Sequence, residues 1–194
     1  IHNKKLKLFI HISTSEVYGT CHNNKKMTEE HPLNPLSPYA ASKCGGERLV
    51  YSYGKTYGLP FTIIRPFNNY GPRQHLEKVI PRFLTATIIN DDITIHGMGK
   101  SKRDYMHVND TCDAIIQVIN NKSDKKVYQN TFNIGTGESL SVNEIATNIC
   151  KITGFNKKKI KHITDRPGQV DKHWCDYKKF SSTFKWKPKI KFRD

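Results

Sequence analysis

A tyrosine and a lysine four residues apart, in Pro38-Tyr39-Ala40-Ala41-Ser42-Lys43, follow the hydroxyl-rich run Ser13-Thr14-Ser15-Glu16. Residues at i and i+4 share one face of a helix, so the Lys43 ammonium can reach past the Tyr39 phenol. A cation held there favours phenolate over phenol and lowers the tyrosine pKa from its usual value of about 10. Such a group can act as a general base toward an alcohol near neutral pH. A Ser or Thr at the end of the preceding strand can hydrogen-bond the same alcohol, which singles out Thr14. Tyr-x-x-x-Lys alone recurs by chance on helix surfaces. The order strand, Ser-Thr-Ser-Glu, loop, Pro-Tyr-Ala-Ala-Ser-Lys, helix is the informative part.

The elements that must hold these residues can be read from periodicity. Leu6 to Ile12 predicts a buried strand, residues 19 to 38 a polar loop, and Tyr39 to Tyr57 a helix stopped by Gly58. Pro60 to Pro66 predicts a second buried strand, β-branched and cut off by proline. Asn68 to Gln74 is rich in turn formers. Beyond it the pattern predicts a helix over Lys78 to Ile89, a strand over Asp92 to His96 and another over Arg103 to Val108. A helix capped by Asn109 or Asp110 then runs to Ile119, followed by a strand over Thr131 to Gly135. Ser141 with Glu144 three residues later has capping-box spacing and opens a helix to Thr153. A late strand over Ile160 to Ile163 and a short helix and turn around Phe180 to Trp186 complete the chain.

Strands alternating with helices predict an α/β fold with a largely parallel sheet. The elements shorten after about Gly71, which suggests a smaller lobe beside the sheet. The expected division is 1–70 for the sheet domain and 71–194 mainly for the lobe, with about 103–120 returning to the sheet.

Bulk properties narrow the function. At 194 residues there is room for one sizeable core, and the net charge is +15. The lysines are scattered over loop-like stretches, with no RNA-binding signature and no zinc-finger spacing, so a solvated basic surface is favoured over a nucleic-acid partner. Five cysteines without Cys-x-x-Cys argue against a disulfide framework and a structural zinc; Cys44, Cys112 and Cys150 read as small core or interface residues. No stretch approaches the roughly 20 apolar residues of a membrane span. No leader pattern precedes Leu6, and the expected compartment is the cytoplasm. The nine histidines show no metal-ligand spacing.

One motif is missing. No strand runs into Gly-x-x-Gly-x-x-Gly at the start of a helix, the arrangement that cradles a dinucleotide pyrophosphate. Gly97-Met98-Gly99 lacks the third glycine, and Gly135-Thr136-Gly137 reads as a turn.

The chain resembles the extended short-chain dehydrogenase/reductases that act on nucleotide sugars. The resemblance rests on Ser13 to Gly19, Ser37 to Lys43, Arg65 to Gln74, Glu77 to Pro81, Arg103 to Val108, Phe132 to Gly137 and Arg166 to Gln169, in family order. The run through Asn69, Gln74, Glu77 and Pro81 is most similar to the dTDP-glucose 4,6-dehydratase group. The resemblance implies a Rossmann-like parallel sheet, here its C-terminal part, with the glycine-rich N-terminal unit lying before Ile1. It also implies NAD as cofactor, a nucleotide-diphosphate sugar as substrate, and a homodimer formed through the helix that bears Tyr39. The small residues Ala40, Ala41, Gly45 and Gly46 would allow close helix approach there, or equally packing on the sheet.

Roles follow from the resemblance at matching positions. Tyr39 would deprotonate the sugar O4, Lys43 would hold the nicotinamide ribose, and Thr14 would hydrogen-bond O4. Glu16 matches the base that removes the C5 proton. Ser15 stands where the dTDP-glucose enzymes carry an aspartate that assists loss of the C6 hydroxyl; GDP-mannose dehydratases and UDP-glucuronate decarboxylases resemble this chain in having Thr-Ser-Glu. Ser13, Pro66 and Phe67 match the nicotinamide surroundings. Asn68, Lys78, Val79, Arg103, Asn133 and Arg166 match contacts to the nucleotide diphosphate. Arg65 and Asn133 also read as structural, through an ion pair and a strand end respectively, while Tyr18 and Gly19 read as structural outright. His96 stands where the family often places an aromatic against the base. Alternatives remain open: a UDP-sugar 4-epimerase, a UDP-glucuronate decarboxylase, or a non-catalytic nucleotide-sugar-binding fragment.

Overall fold

The computed structural model describes residues 6–21, 24–165 and 170–193. The strands are β1 (Phe9–Ile12), β2 (Phe61–Pro66), β3 (Asn68–Tyr70), β4 (Ile93–His96), β5 (Lys102–Arg103), β6 (Tyr105–His107), β7 (Asn130–Ile134), β8 (Leu140–Ser141) and β9 (Ile160–Ile163). The helices are α1 (Pro38–Tyr57), α2 (Val79–Ile88), α3 (Val108–Asn120), α4 (Val142–Thr153) and α5 (Lys178–Phe184).

The main sheet has the order β1-β2-β7, all parallel. Every residue of β2 is buried, as a strand covered on both faces requires. Phe61 and Ile63 pack with Val50 of α1 on one face. Ile64 packs on the other face with Ala114 and Val118 of α3, Phe132 of β7, and Phe180 of α5. β7 joins this sheet, and α3 and α5 pack on the same face of it. A second core joins α2, β4 and α4 through Phe83, Ile93, Ile95 and Ile145, with β4 parallel to β9.

Local signals place several elements as expected. Gly58 ends α1 in the left-handed conformation as expected, whereas its start, one residue before the predicted Tyr39, is set by Ser37, which accepts from the Ala40 amide, and by Pro38 in the first turn. The Ser141–Glu144 capping box is fully formed. Of the expected small residues, Gly46 packs closely on the sheet, where a Cβ would lie 3.3 Å from the His11 ring, and Gly54 approaches it more closely still. A Cβ on Gly54 would lie 2.1 Å from the Phe61 ring, whereas one on Gly45 would meet nothing within 4 Å.

Other expectations need correction. β1 is shorter than predicted, Phe9–Ile12; in this chain it pairs with β2 alone, and Phe9 and Ile12 are each 40% exposed. The turn-rich segment after Phe67 begins with a strand, β3, paired in parallel with β6. The strand predicted over Arg103 to Val108 is broken at Asp104 into β5 and β6. His107, rather than Asn109 or Asp110, caps α3, its Nδ1 accepting from the Asn109 amide at 3.2 Å. All five cysteines are free, and Cys112 is exposed, so of the two readings it is not a core residue. Among the described residues no helix is long and apolar enough to cross a membrane, and no His/Cys/Asp/Glu cluster could hold a metal ion.

Candidate active site

In open parallel sheets ligands bind beyond the carboxyl ends of the strands. The register aligns Ile12 with Ile64 and Pro66 with Ile134, so the segments following β1, β2 and β7 emerge along one edge. Ser13 to Glu16 leave β1 there, Phe67 and Asn68 leave β2, and Gly135 to Gly137 leave β7.

The turn after β1 is a short 3-10 helix over Ser15–Tyr18, capped by Thr14, whose Oγ1 accepts from the Glu16 amide at 3.2 Å. Gly19 follows at φ +75°, and a Cβ there would lie 2.4 Å from the Asn34 carbonyl oxygen, so the turn needs glycine on two counts. The first turns of α1 lie beside the end of β1. Lys43 Nζ donates to the Ile12 carbonyl at 2.5 Å, which fixes the ammonium at the strand end next to Ser13 and Thr14. Tyr39, one helical turn earlier, is 55% exposed. Ser13 is only 4% exposed, and its Oγ has no hydrogen-bond partner among the described residues.

A cavity of about 840 Å³ opens between this edge and the second core. That volume is of the size small-molecule sites occupy. Glu16 and Asn68 form one part of its wall; Lys78, Val79, Arg82, His96 and Arg103 form another. The structure thus brings Glu16, Asn68, Lys78, Val79 and Arg103 to one space. Thr14, Lys43, Pro66 and Phe67 lie at or beside the carboxyl ends of β1 and β2, while Tyr39 stands exposed one helical turn before Lys43; Thr14, Tyr39 and Lys43 do not line this cavity. Arg166 lies outside the described residues.

Two expected site residues face inward instead. Asn133 is 0% exposed; it accepts from Tyr18 OH at 2.7 Å, donates to the Met27 carbonyl at 3.0 Å, and does not line the cavity. Ser15 is 2% exposed and its Oγ lies 3.3 Å from His173 Nδ1.

Beneath the site runs a closed polar network. Arg65 binds Glu47 of α1 through two bonds, Nε to Oε1 at 2.8 Å and Nη2 to Oε2 at 2.6 Å. Its Nη1 donates to Tyr18 OH at 2.7 Å, which in turn donates to Asn133. Burial works against the Arg65 charge, but the Glu47 and Tyr18 contacts outweigh it and hold the guanidinium more firmly protonated than usual. Burial pushes the Tyr18 phenol up, and the Arg65 charge only partly offsets this. Tyr18 is therefore a neutral link between α1, β2 and the turn carrying Glu16.

Sequence reasoning missed His173 and Asp104. His173 Nε2 lies 2.6 Å from the Gly19 carbonyl, so that nitrogen must carry a proton. Nδ1 is then an acceptor, and the Ser15 hydroxyl donates to it. The ring braces both ends of the glutamate turn. Burial, then the charge of Arg103, pull its pKa down to about 4. Asp104 is 0% exposed and accepts from the amides of Thr136, Gly137 and Cys175 and from the Thr136 hydroxyl, tying the turn after β7 to the β5–β6 break. Burial pushes it up to about 6 despite those donors. Asp104 lies within the motif Arg103 to Val108, which is a local signal for it; nothing local marks His173.

A family model described as GDP-mannose 4,6 dehydratase matches residues 1–194. The low-salt glycan biosynthesis protein Agl12 of Haloferax volcanii is 38% identical over 96% of this chain and 58% of its own length. A dTDP-glucose 4,6-dehydratase of an Actinoplanes species is 36% identical over 96% of this chain and 57% of its own. Among solved structures, dTDP-glucose 4,6-dehydratase from Bacillus anthracis, in complex with NAD, superposes with a TM-score of 0.89 at 35% identity, covering 95% of this chain and 57% of that one. UDP-glucuronic acid 4-epimerase from Bacillus cereus, with UDP-glucuronic acid and NAD, gives 0.90 at 31% identity, covering 97% and 59%. The chain therefore spans rather less than two thirds of the relatives it matches. With its parallel sheet, its motifs in order and a match along its whole length, the chain belongs to the GDP-mannose 4,6-dehydratase family of extended short-chain dehydrogenase/reductases.

Proposed function

We propose that the protein containing this chain is an NAD-dependent nucleotide-sugar 4,6-dehydratase of the dTDP-glucose 4,6-dehydratase type. The observation that carries this reading is Glu16: a carboxylate held on a braced turn, opening into a cavity whose other wall is cationic. Lys78, Arg82 and Arg103 suit a diphosphate, for which guanidinium supplies a fixed fork of donors. The site suits NAD at its nicotinamide end: Ser13 Oγ is buried without a partner, the Lys43 ammonium is fixed beside it, and Phe67 is buried at the end of β2. Ser13, Thr14, Tyr39, Lys43, Pro66 and Phe67 would hold the cofactor, which when bound accepts hydride from the sugar C4 and returns it at C6. Tyr39 takes the O4 proton while Thr14 hydrogen-bonds that oxygen. Glu16 takes the C5 proton once C4 is a carbonyl and passes it to the C6 hydroxyl, which departs as water; the C5=C6 double bond left behind takes up hydride at C6 and a proton at C5. Dimerisation through α1 belongs to the same reading, supported by the exposure of Leu49 and Tyr57 on that helix.

One observation favours a 4-epimerase as second reading. Ser15 is turned toward His173 and does not line the cavity, so no acid stands at its position to help a C6 hydroxyl leave. An epimerase needs Thr14, Tyr39 and Lys43 but no such acid. The test is incubation of the complete protein with NAD and dTDP-glucose, UDP-glucose or UDP-glucuronate. Formation of a 4-keto-6-deoxy sugar, lost in Tyr39→Phe, is the expected result. Glu16→Gln should stop after C4 oxidation, with reduced nicotinamide visible by absorbance; normal turnover by Glu16→Gln would transfer the assignment to the epimerase.

A further inference from the structure

We infer that Gln74 is a substrate-binding residue whose side-chain carbonyl accepts a hydrogen bond from a hydroxyl of the hexose. The inference rests on the nucleotide-sugar reading above. Gln74 Nε2 donates to the Asn69 carbonyl at 2.8 Å, which fixes the amide's orientation and leaves Oε1 as the free end. That oxygen is buried and accepts from no described residue, although Gln74 lines the cavity. Asn68 Oδ1, on the same wall, is in the same condition.

Buried acceptors without a donor are rare in folded proteins, and two on one cavity wall call for a ligand that brings donors. A diphosphate brings only acceptor oxygens and would meet the lone pairs of both amides. It belongs with the cationic wall around Lys78 and Arg103. A hexose brings several hydroxyl hydrogens, and Glu16 opens on the same space as Gln74. The support is firm: Asn69 is itself tied to α3, its Oδ1 accepting from the Thr111 hydroxyl at 2.5 Å. Gln74 is therefore held in place before any ligand arrives, so little ordering cost attends the bond. The sugar end of the cavity is the end at Glu16, Asn68 and Gln74.

Calorimetric titration of the complete, NAD-loaded protein with dTDP and with dTDP-glucose, repeated with UDP and UDP-glucose, tests this. Gln74→Leu should weaken the sugar nucleotide about tenfold, the order expected for one hydrogen bond to a held acceptor. Affinity for the sugar-free nucleotide should stay within about twofold. The melting temperature should change little, because the variant removes an orphan acceptor together with the donor to the Asn69 carbonyl. Gln74→Met serves as a second variant should the leucine protein fold poorly. Equal losses for nucleotide and sugar nucleotide would put Gln74 at the other end and overturn the inference, as would unchanged affinity for both. A wild-type protein that binds neither ligand of either pair would overturn the nucleotide-sugar reading itself, a result separate from any change between variants.

Discussion

Two polar regions meet at the carboxyl edge of the sheet, and they are built on opposite terms. In the network of Glu47, Arg65, Tyr18 and Asn133 each buried side chain has a partner: two bonds join Arg65 to Glu47, and the hydroxyl and amide complete the chain. In the cavity wall, Asn68 and Gln74 carry buried oxygens that nothing in the described structure satisfies. Buried polar groups that serve stability are paired, since each unmet one weakens the fold. Groups kept unmet at a cavity are the ones a ligand completes. The difference separates Asn133 from Asn68, two asparagines that the motifs alone present alike.

The comparison can be broken first on its closed side. Glu47→Ala leaves the Arg65 charge buried and uncompensated, a change that typically destabilises by about 3–5 kcal/mol. Urea denaturation should show that loss, and a change within error of zero would mean the network is not structural.

A second probe uses pH, with Asp104 and His173 as opposing groups. His173 titrates at about 4 when folded against 6.5 unfolded, so the unfolded chain binds the proton first. Its contribution is full above pH 6.5 and falls as pH drops toward 4. Asp104 titrates at about 6 when folded against 3.8 unfolded, so the folded chain binds the proton first. Its contribution is full below pH 3.8 and is lost as pH rises through 6. Each shift corresponds to about 3 kcal/mol. The two slopes nearly cancel between pH 4 and 6. Subtracting the stability curve of His173→Gln from that of wild type should give a difference falling with acid; the same subtraction for Asp104→Asn should give one rising with acid. Flat differences would refute both assignments.

The smallest effect sharpens the comparison rather than breaking it. Tyr18→Phe removes one hydroxyl and leaves the Arg65 and Asn133 ends facing each other unbridged, at about 1–3 kcal/mol. Thermal melts should show a loss smaller than that of Glu47→Ala, and the opposite order would place the weight of the network on the phenol.

Much of the scaffold was legible because its signals are local. Gly58 closes α1 within the reach of one helical turn. Ser141 and Glu144 satisfy each other's backbone three residues apart. The β-branched run up to Pro66 specifies a buried strand by composition alone. The motif order Ser13 to Glu16, then Tyr39 to Lys43, identified the family before any geometry. His107 escaped because a histidine cap competes with better capping residues immediately after it, and only the bend from β6 into α3 decides among them.

What the chain determined by itself, then, is which residue types could do chemistry and which segments are helix or strand, since both depend on neighbours a few positions away. Which side chains reach the cavity was settled by packing. Ser15 meets His173 across 158 positions and Tyr18 meets Asn133 across 115, separations over which sequence spacing carries no distance information. Only the folded sheet, with β2 between β1 and β7, brings those partners together and turns Asn133 inward while Asn68 and Gln74 stay on the open wall.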